Sequence, residues 1–171
     1  IKKRADELGL LGEWKKYVEA TGELSRIGYR EEIEAAMRTK NLSGISLLGL
    51  QDFPGQGTAL VGMMNSHLEP KPFAFARPEE FQKFFRDQLP LVLLPKYTYE
   101  DGEMLEVEIQ VANFGKTDLD GPIRFCLSGD NFQTCGELDK VLCSKGKITD
   151  AGRINLLLHI DKATQLELQV E

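Results

Sequence analysis

The run Gly44-Ile45-Ser46-Leu47-Leu48-Gly49-Leu50, followed at once by Gln51-Asp52-Phe53-Pro54-Gly55-Gln56-Gly57-Thr58, decides how the first half of the chain is read. It is short, nearly all apolar or small, and bounded by glycine. It does not alternate. A strand with one wet face would alternate, whereas a strand covered on both faces reads as a continuous apolar run, the habit of parallel sheets. The polar, turn-forming residues behind it then lie at the carboxyl end of the strand, where α/β folds place their functional groups.

Upstream of this run the pattern is helical. Tyr29, Ile33, Ala36 and Met37 share one face of a helix expected over residues 29–38, with early glutamates at the positive end and Arg38 at the other. Trp14, Tyr17 and Val18, one turn after Leu10 and Leu11, indicate an earlier helix for which Gly22 is a plausible stop. Downstream, Pro78 suits a first helical turn, and Phe81, Phe84 and Phe85 give a buried stripe ending before Pro90.

Beyond Pro90 the period becomes two. Leu105, Val107, Ile109 and Val111 alternate with polar residues, as do Ile123, Phe125 and Leu127, then Ile154, Leu156, Leu158 and Ile160. Strands are expected over 91–98, 103–113, 122–128, 132–138, 141–148, 153–160 and 165–171. That series is the grammar of an all-β sandwich of immunoglobulin-like or fibronectin-like type. The expected organisation is therefore an α/β part over 1–90 and a β-sandwich over 91–171.

Gln51, Asp52 and Phe53 are the candidate substrate-binding residues. A carboxylate and an amide at a strand end are held rigidly yet reach a ligand, and a sugar ring packs on an aromatic face. Gly55 and Gly57 permit a tight backbone path around Gln56. The same residues equally suit a structural task, with Asp52 or Gln51 capping backbone amides and Phe53 filling core. His67, Glu69 and Trp14 read as loop, loop and helix-packing residues.

Composition narrows the field. The 171 residues carry 27 Asp+Glu against 21 Lys+Arg, a net charge of -6, with 42% hydrophobic and 28% charged residues. A folded, soluble protein is expected, exported if its parent is. The acidic balance and the lack of a basic run longer than Lys2-Lys3-Arg4 argue against nucleic acid. No apolar run approaches the roughly 18 residues of a membrane helix. No HExxH, CxxC, phosphate loop or GxSxG occurs, and no metal, cofactor or catalytic residue is expected on this chain. Cys126, Cys135 and Cys143 form an odd set best read as free thiols, one bridge with one free thiol being the alternative. Both ends read as cut from something longer.

Tyr29 to Thr39, and Gly44-Ile45-Ser46-Leu47-Leu48-Gly49-Leu50-Gln51-Asp52-Phe53-Pro54-Gly55-Gln56-Gly57-Thr58-Ala59-Leu60-Val61-Gly62, closely resemble glycoside hydrolases of family two, the β-galactosidase-like proteins. The resemblance implies the last part of a TIM barrel, with Gly44–Leu50 as strand eight and 78–88 as the closing helix, followed by an immunoglobulin-like domain. It implies a parent that hydrolyses terminal β-linked sugars with retention, using carboxylates that precede residue 1. This chain alone would be inactive and would contribute a pocket wall from Gln51, Asp52 and Phe53. A non-catalytic carbohydrate-binding or structural module is the rival. A lone barrel strand leaves its edges unpaired, so self-association through that strand is a further expectation.

Overall fold

Trp14 to Arg38 forms a single helix, α2, of 25 residues in a computed structural model that describes residues 2–55 and 61–171. The expectations placed on Gln56, Gly57 and Thr58 lie outside the described residues. The chain divides into two units, Ile1–Arg86 and Asp87–Glu171.

In the first unit a short helix α1 (Lys2–Glu7) and a 3-10 turn (Leu11–Glu13) precede α2, and a 3-10 turn (Ala74–Ala76) leads into α3 (Pro78–Gln82). Gly22 does not stop the helix. A Cβ there would lie 2.2 Å from the Phe75 ring, so the glycine lets α2 and the 74–76 turn approach closely. Gly28, one residue before the Tyr29 stripe, faces open space. Gly22→Ala is therefore expected to lower stability by about 1–2 kcal/mol through overpacking. Gly28→Ala should raise it by roughly 0.5–1 kcal/mol, because alanine is the better helix former and meets nothing. Thermal unfolding of the two variants, with opposite signs, checks the assignment.

Ile33 and Met37 bury the α2 stripe. Met63, Phe75 and Ala76 form a small core against Val18, Tyr29, Leu50, Phe73 and Phe81. Tyr29 meets Phe81 edge-on at 5.7 Å, and Phe81 packs on Phe84 at 4.7 Å. The Phe81 carbonyl accepts both the Phe84 and the Phe85 N–H, and α3 ends at Gln82. Phe84 is buried while Phe85 remains exposed.

The barrel expectation is overturned here. Residues 42–49 carry no regular secondary structure, and only Gln51 forms an isolated parallel bridge, to Met64. An interior strand needs a ladder on both sides, and the described residues of this unit contain no sheet. Leu48 is 95% exposed, the opposite of a strand buried on both faces. With neither strand eight nor a closing helix over 78–88, this unit is not the last part of a TIM barrel.

The second unit holds six antiparallel strands: β1 (Gln88–Leu93), β2 (Met104–Asn113), β3 (Leu119–Gly129), β4 (Phe132–Cys143), β5 (Lys147–Leu157) and β6 (Glu167–Val170). They form two three-stranded sheets, ordered β1-β2-β5 and β4-β3-β6. One core draws on both, with Leu105, Val107, Ile109 and Val111 of β2 beside Ile123, Leu127, Cys143 and Ile154.

This is not the immunoglobulin-like sandwich expected, whose sheets divide seven strands as four and three. The strand expected at 132–138 runs on to Cys143 and takes the start of the one expected at 141–148, because a bulge that sets Asp139 and Lys140 against Pro122 alone lets β4 continue. A second irregularity, at Ile109/Gln110, leaves Ala151 out of the β2–β5 ladder beside Gly152, whose φ of 105° suits glycine alone.

β3 and β4 bring Cys126 opposite Cys135, and the two form a disulfide. The free-thiol reading therefore holds only for Cys143, which is buried and directs its Sγ to the Val111 carbonyl at 3.4 Å. Among the described residues no helix is long and apolar enough to cross a membrane.

Candidate functional site

The three residues singled out by sequence separate in the structure. Asp52 is buried, and its Oδ1 accepts the Gly62 N–H at 2.9 Å and pairs with Lys71 Nζ at 2.9 Å. Backbone bonds flank the carboxylate: Asp52 N–H to Met64 O at 2.9 Å, Met64 N–H to Leu50 O at 3.0 Å, and Lys71 N–H to Met63 O at 3.1 Å. A Cβ on Gly62 would fall 2.4 Å from the Gln51 carbonyl carbon, so only glycine allows this approach. Asp52 thus latches the 50–52 segment to the 62–71 segment.

Gln51 and Phe53, on either side of the latch, are exposed. Phe53 does not fill core; its ring lies over Gly55, where a Cβ would meet it at 2.7 Å. Sequence alone left Lys71 unnoticed. Its signal was a lone cation between Pro70 and Pro72.

Asn65 organises the neighbouring loop. Its Oδ1 accepts the His67 N–H at 2.9 Å and the Glu69 N–H at 3.1 Å, while Nδ2 donates to Glu69 Oε2 at 3.0 Å. His67 and Glu69 are exposed loop residues. Trp14 is 38% exposed on α2.

The apolar run preceding the latch lies against α2, where the Tyr29 hydroxyl donates to the Leu48 carbonyl at 3.4 Å. Leu42, Ile45 and Leu48 are exposed along it. From Asn41 to Gln51 no residue is charged, in a chain where 28% of residues are. What this site presents is an uncharged apolar ribbon, with Gln51 and Phe53 at its end and a locked carboxylate behind it. Such a ribbon offers apolar contact.

Among the described residues no group of three or more His, Cys, Asp or Glu is placed to hold a metal ion. Residues 103–171 match the model of a family described as a domain of unknown function (DUF8488). No curated protein matches the chain.

These findings correct the hydrolase reading. The family match over the second unit is not to glycoside hydrolases of family two, and the strand that was to deliver a pocket wall does not form. Neither a glycosidase parent nor a role in carbohydrate hydrolysis has a structural basis in this chain.

Proposed function

We propose that the first unit is an interaction module that pairs with a second copy of this chain through the run Gly44–Leu50, with Gln51 and Phe53 extending the contact. The observation that carries this reading is Leu48, a leucine 95% exposed in the middle of an uncharged run. Unlike the edge strands of stable sheets, the run has no charge or proline to discourage pairing. The run itself carries no charge, so two copies can meet along it about a two-fold axis without opposing like charges within the contact. The small core of this unit also leaves much apolar surface to gain from being covered.

Burying Leu48 contributes about 2 kcal/mol per copy, twice over in a symmetric pair. Leu48→Lys should therefore weaken the dimer by roughly 100-fold or more, with the unfolding temperature of the monomer unchanged. Sedimentation velocity across a concentration series checks this. A chain that stays monomeric up to hundreds of micromolar, or a dimer that Leu48→Lys leaves intact, sinks the proposal. The Cys126–Cys135 disulfide in the second unit supports an oxidising compartment, and with it export of the protein.

A further inference from the structure

The bridge between Cys126 and Cys135 joins directly opposed residues of β3 and β4. It lies on the outer face of the β4-β3-β6 sheet, in a row with Gln169 of β6, because Ile123 and Leu127, in the alternate register, turn into the core. Cys135 is exposed and Cys126 half-buried.

The surrounding ladder holds the hairpin without the bridge. On the turn side Leu127 pairs with Thr134 and Ser128 with Gln133, and on the other side Phe125 pairs with Gly136 and Arg124 with Glu137. β6 holds Phe125 to Ser128 from the opposite margin of β3. The cysteines are 9 residues apart in sequence, and a bridge over so short a loop constrains the unfolded chain less than one joining distant elements. Backbone pairing therefore keeps the two sulfurs opposed when the bond is open.

The geometry also separates the roles of the two sulfurs. β4 is an outer strand of its sheet, so a thiolate can approach Cys135 Sγ in line with the sulfur–sulfur bond, whereas Cys126 has β6 behind it. Gln133, two residues from Cys135 on the same face, donates from Nε2 to Cys126 Sγ at 3.5 Å and stands 3.9 Å from Cys135 Sγ. That amide meets the negative charge developing on a departing Cys126 sulfur, and a better-stabilised thiolate leaves faster. Cys143 does not compete, since it is buried with Sγ towards the Val111 carbonyl.

Neighbouring charges narrow the partner. The rows on either side of the bridge carry Glu137, Glu171 and Glu167 against Arg124 alone, with Arg124 Nε 3.3 Å from Glu137 Oε2. This acidic face repels a thiol with an anionic body and attracts one with a positive group.

We propose that Cys126–Cys135 is a thiol–disulfide exchange site whose partner is a thiol with a cationic or neutral body. The partner's thiolate bonds to Cys135 Sγ as the bond between the two Sγ atoms breaks. The electron pair of that bond leaves on Cys126 Sγ, which takes a proton from water. A second thiolate then attacks the partner's sulfur and releases Cys135. Two partner thiols are thereby oxidised to one disulfide while the bridge is reduced to two cysteine thiols. The site shares no residue with the run proposed to pair two copies, so the oligomeric state does not bear on it.

The experiment reduces the full, oxidised chain under native conditions with cysteamine, 2-mercaptoethanol or mercaptoacetate over a concentration series. Bridge opening is followed by quenched alkylation and mass spectrometry. The rate should rise in proportion to thiol concentration, with the first trapped adduct on Cys135. Compared per thiolate at low salt, cysteamine should react roughly 5-fold or more faster than mercaptoacetate, a gap that added salt closes. Amide exchange should show the β3–β4 ladder retained in the reduced chain. Gln133→Ala should slow opening by about 3-fold and raise the pH at which Cys126 of the reduced chain is alkylated, with the unfolding temperature unchanged. A rate that levels off at the speed of unfolding, or a reduced chain that loses the ladder, marks a bridge that serves the fold alone and overturns the site. First attack at Cys126, or no effect of Gln133→Ala, overturns the roles given to the sulfurs and the amide. Mercaptoacetate reacting as fast as cysteamine overturns the choice of partner.

Discussion

Asn113→Ala is expected to remove about 3–4 kcal/mol of stability from the second unit, a large share of what a domain of this size possesses. The side chain is fully buried, and every hydrogen-bonding valence it has is used. Its Nδ2 donates to Thr117 O and to Cys143 O, both at 2.9 Å. Its Oδ1 accepts from Gln88 Nε2 at 3.0 Å and from the Gly115 N–H at 3.1 Å. One amide therefore joins β1, the β2–β3 connection and the end of β4, while its own carbonyl accepts the Gly146 N–H. Truncation leaves several groups unmatched, the Cys143 carbonyl among them in a buried position. Asn113→Asp should fare no better, since it keeps the acceptors, loses both donors and buries a charge. Chemical denaturation of the two variants is the check; a loss under about 1 kcal/mol in both would show that water replaces the amide.

Asp52→Ala should cost the first unit about 2–3 kcal/mol, concentrated in residues 50–71. Removing the carboxylate leaves the Gly62 N–H without its acceptor and the Lys71 ammonium without this counter-charge. Amide exchange should quicken at Asp52 and Met64, the two N–H groups that stitch the segments together. Asp52→Asn keeps an oxygen for Gly62 but loses the ion pair, so an intermediate effect is expected. If exchange at Met64 were unchanged in Asp52→Ala, the latch would be incidental to the local fold.

The sequence carried the second unit further than the first, for a physical reason. Period-two alternation in 105–111 reports burial on one face, and β2 buries Leu105, Val107, Ile109 and Val111 as that pattern requires. Strand limits were less legible, because the bulge at Pro122 turned apparent turn residues into the middle of a hairpin. The Cys126–Cys135 bridge depends on that hairpin register and cannot be seen from spacing alone. In the first unit an unbroken apolar run was ambiguous. Continuous hydrophobicity says that a segment wants cover and says nothing of what covers it, and Gly44–Leu50 finds no sheet among the described residues. Gly22 misled similarly, since a glycine that ends a helix and one that admits a neighbouring ring look identical in one dimension. Of the candidate site, Asp52 is held by Lys71 and the Gly62 N–H, partners distant along the chain, and not by a strand end.

The strand order of the second unit has a bearing on how the protein behaves when concentrated. Its outer strands are β1, β5, β4 and β6. β1 contains Pro90, β4 carries Glu137, Asp139 and Lys140, β5 carries Asp150 and Arg153, and β6 is four residues long with Glu167 at its start. Each margin thus holds a residue that spoils the docking of a further strand. This half of the molecule offers no template for fibril growth, whatever the crowding around it.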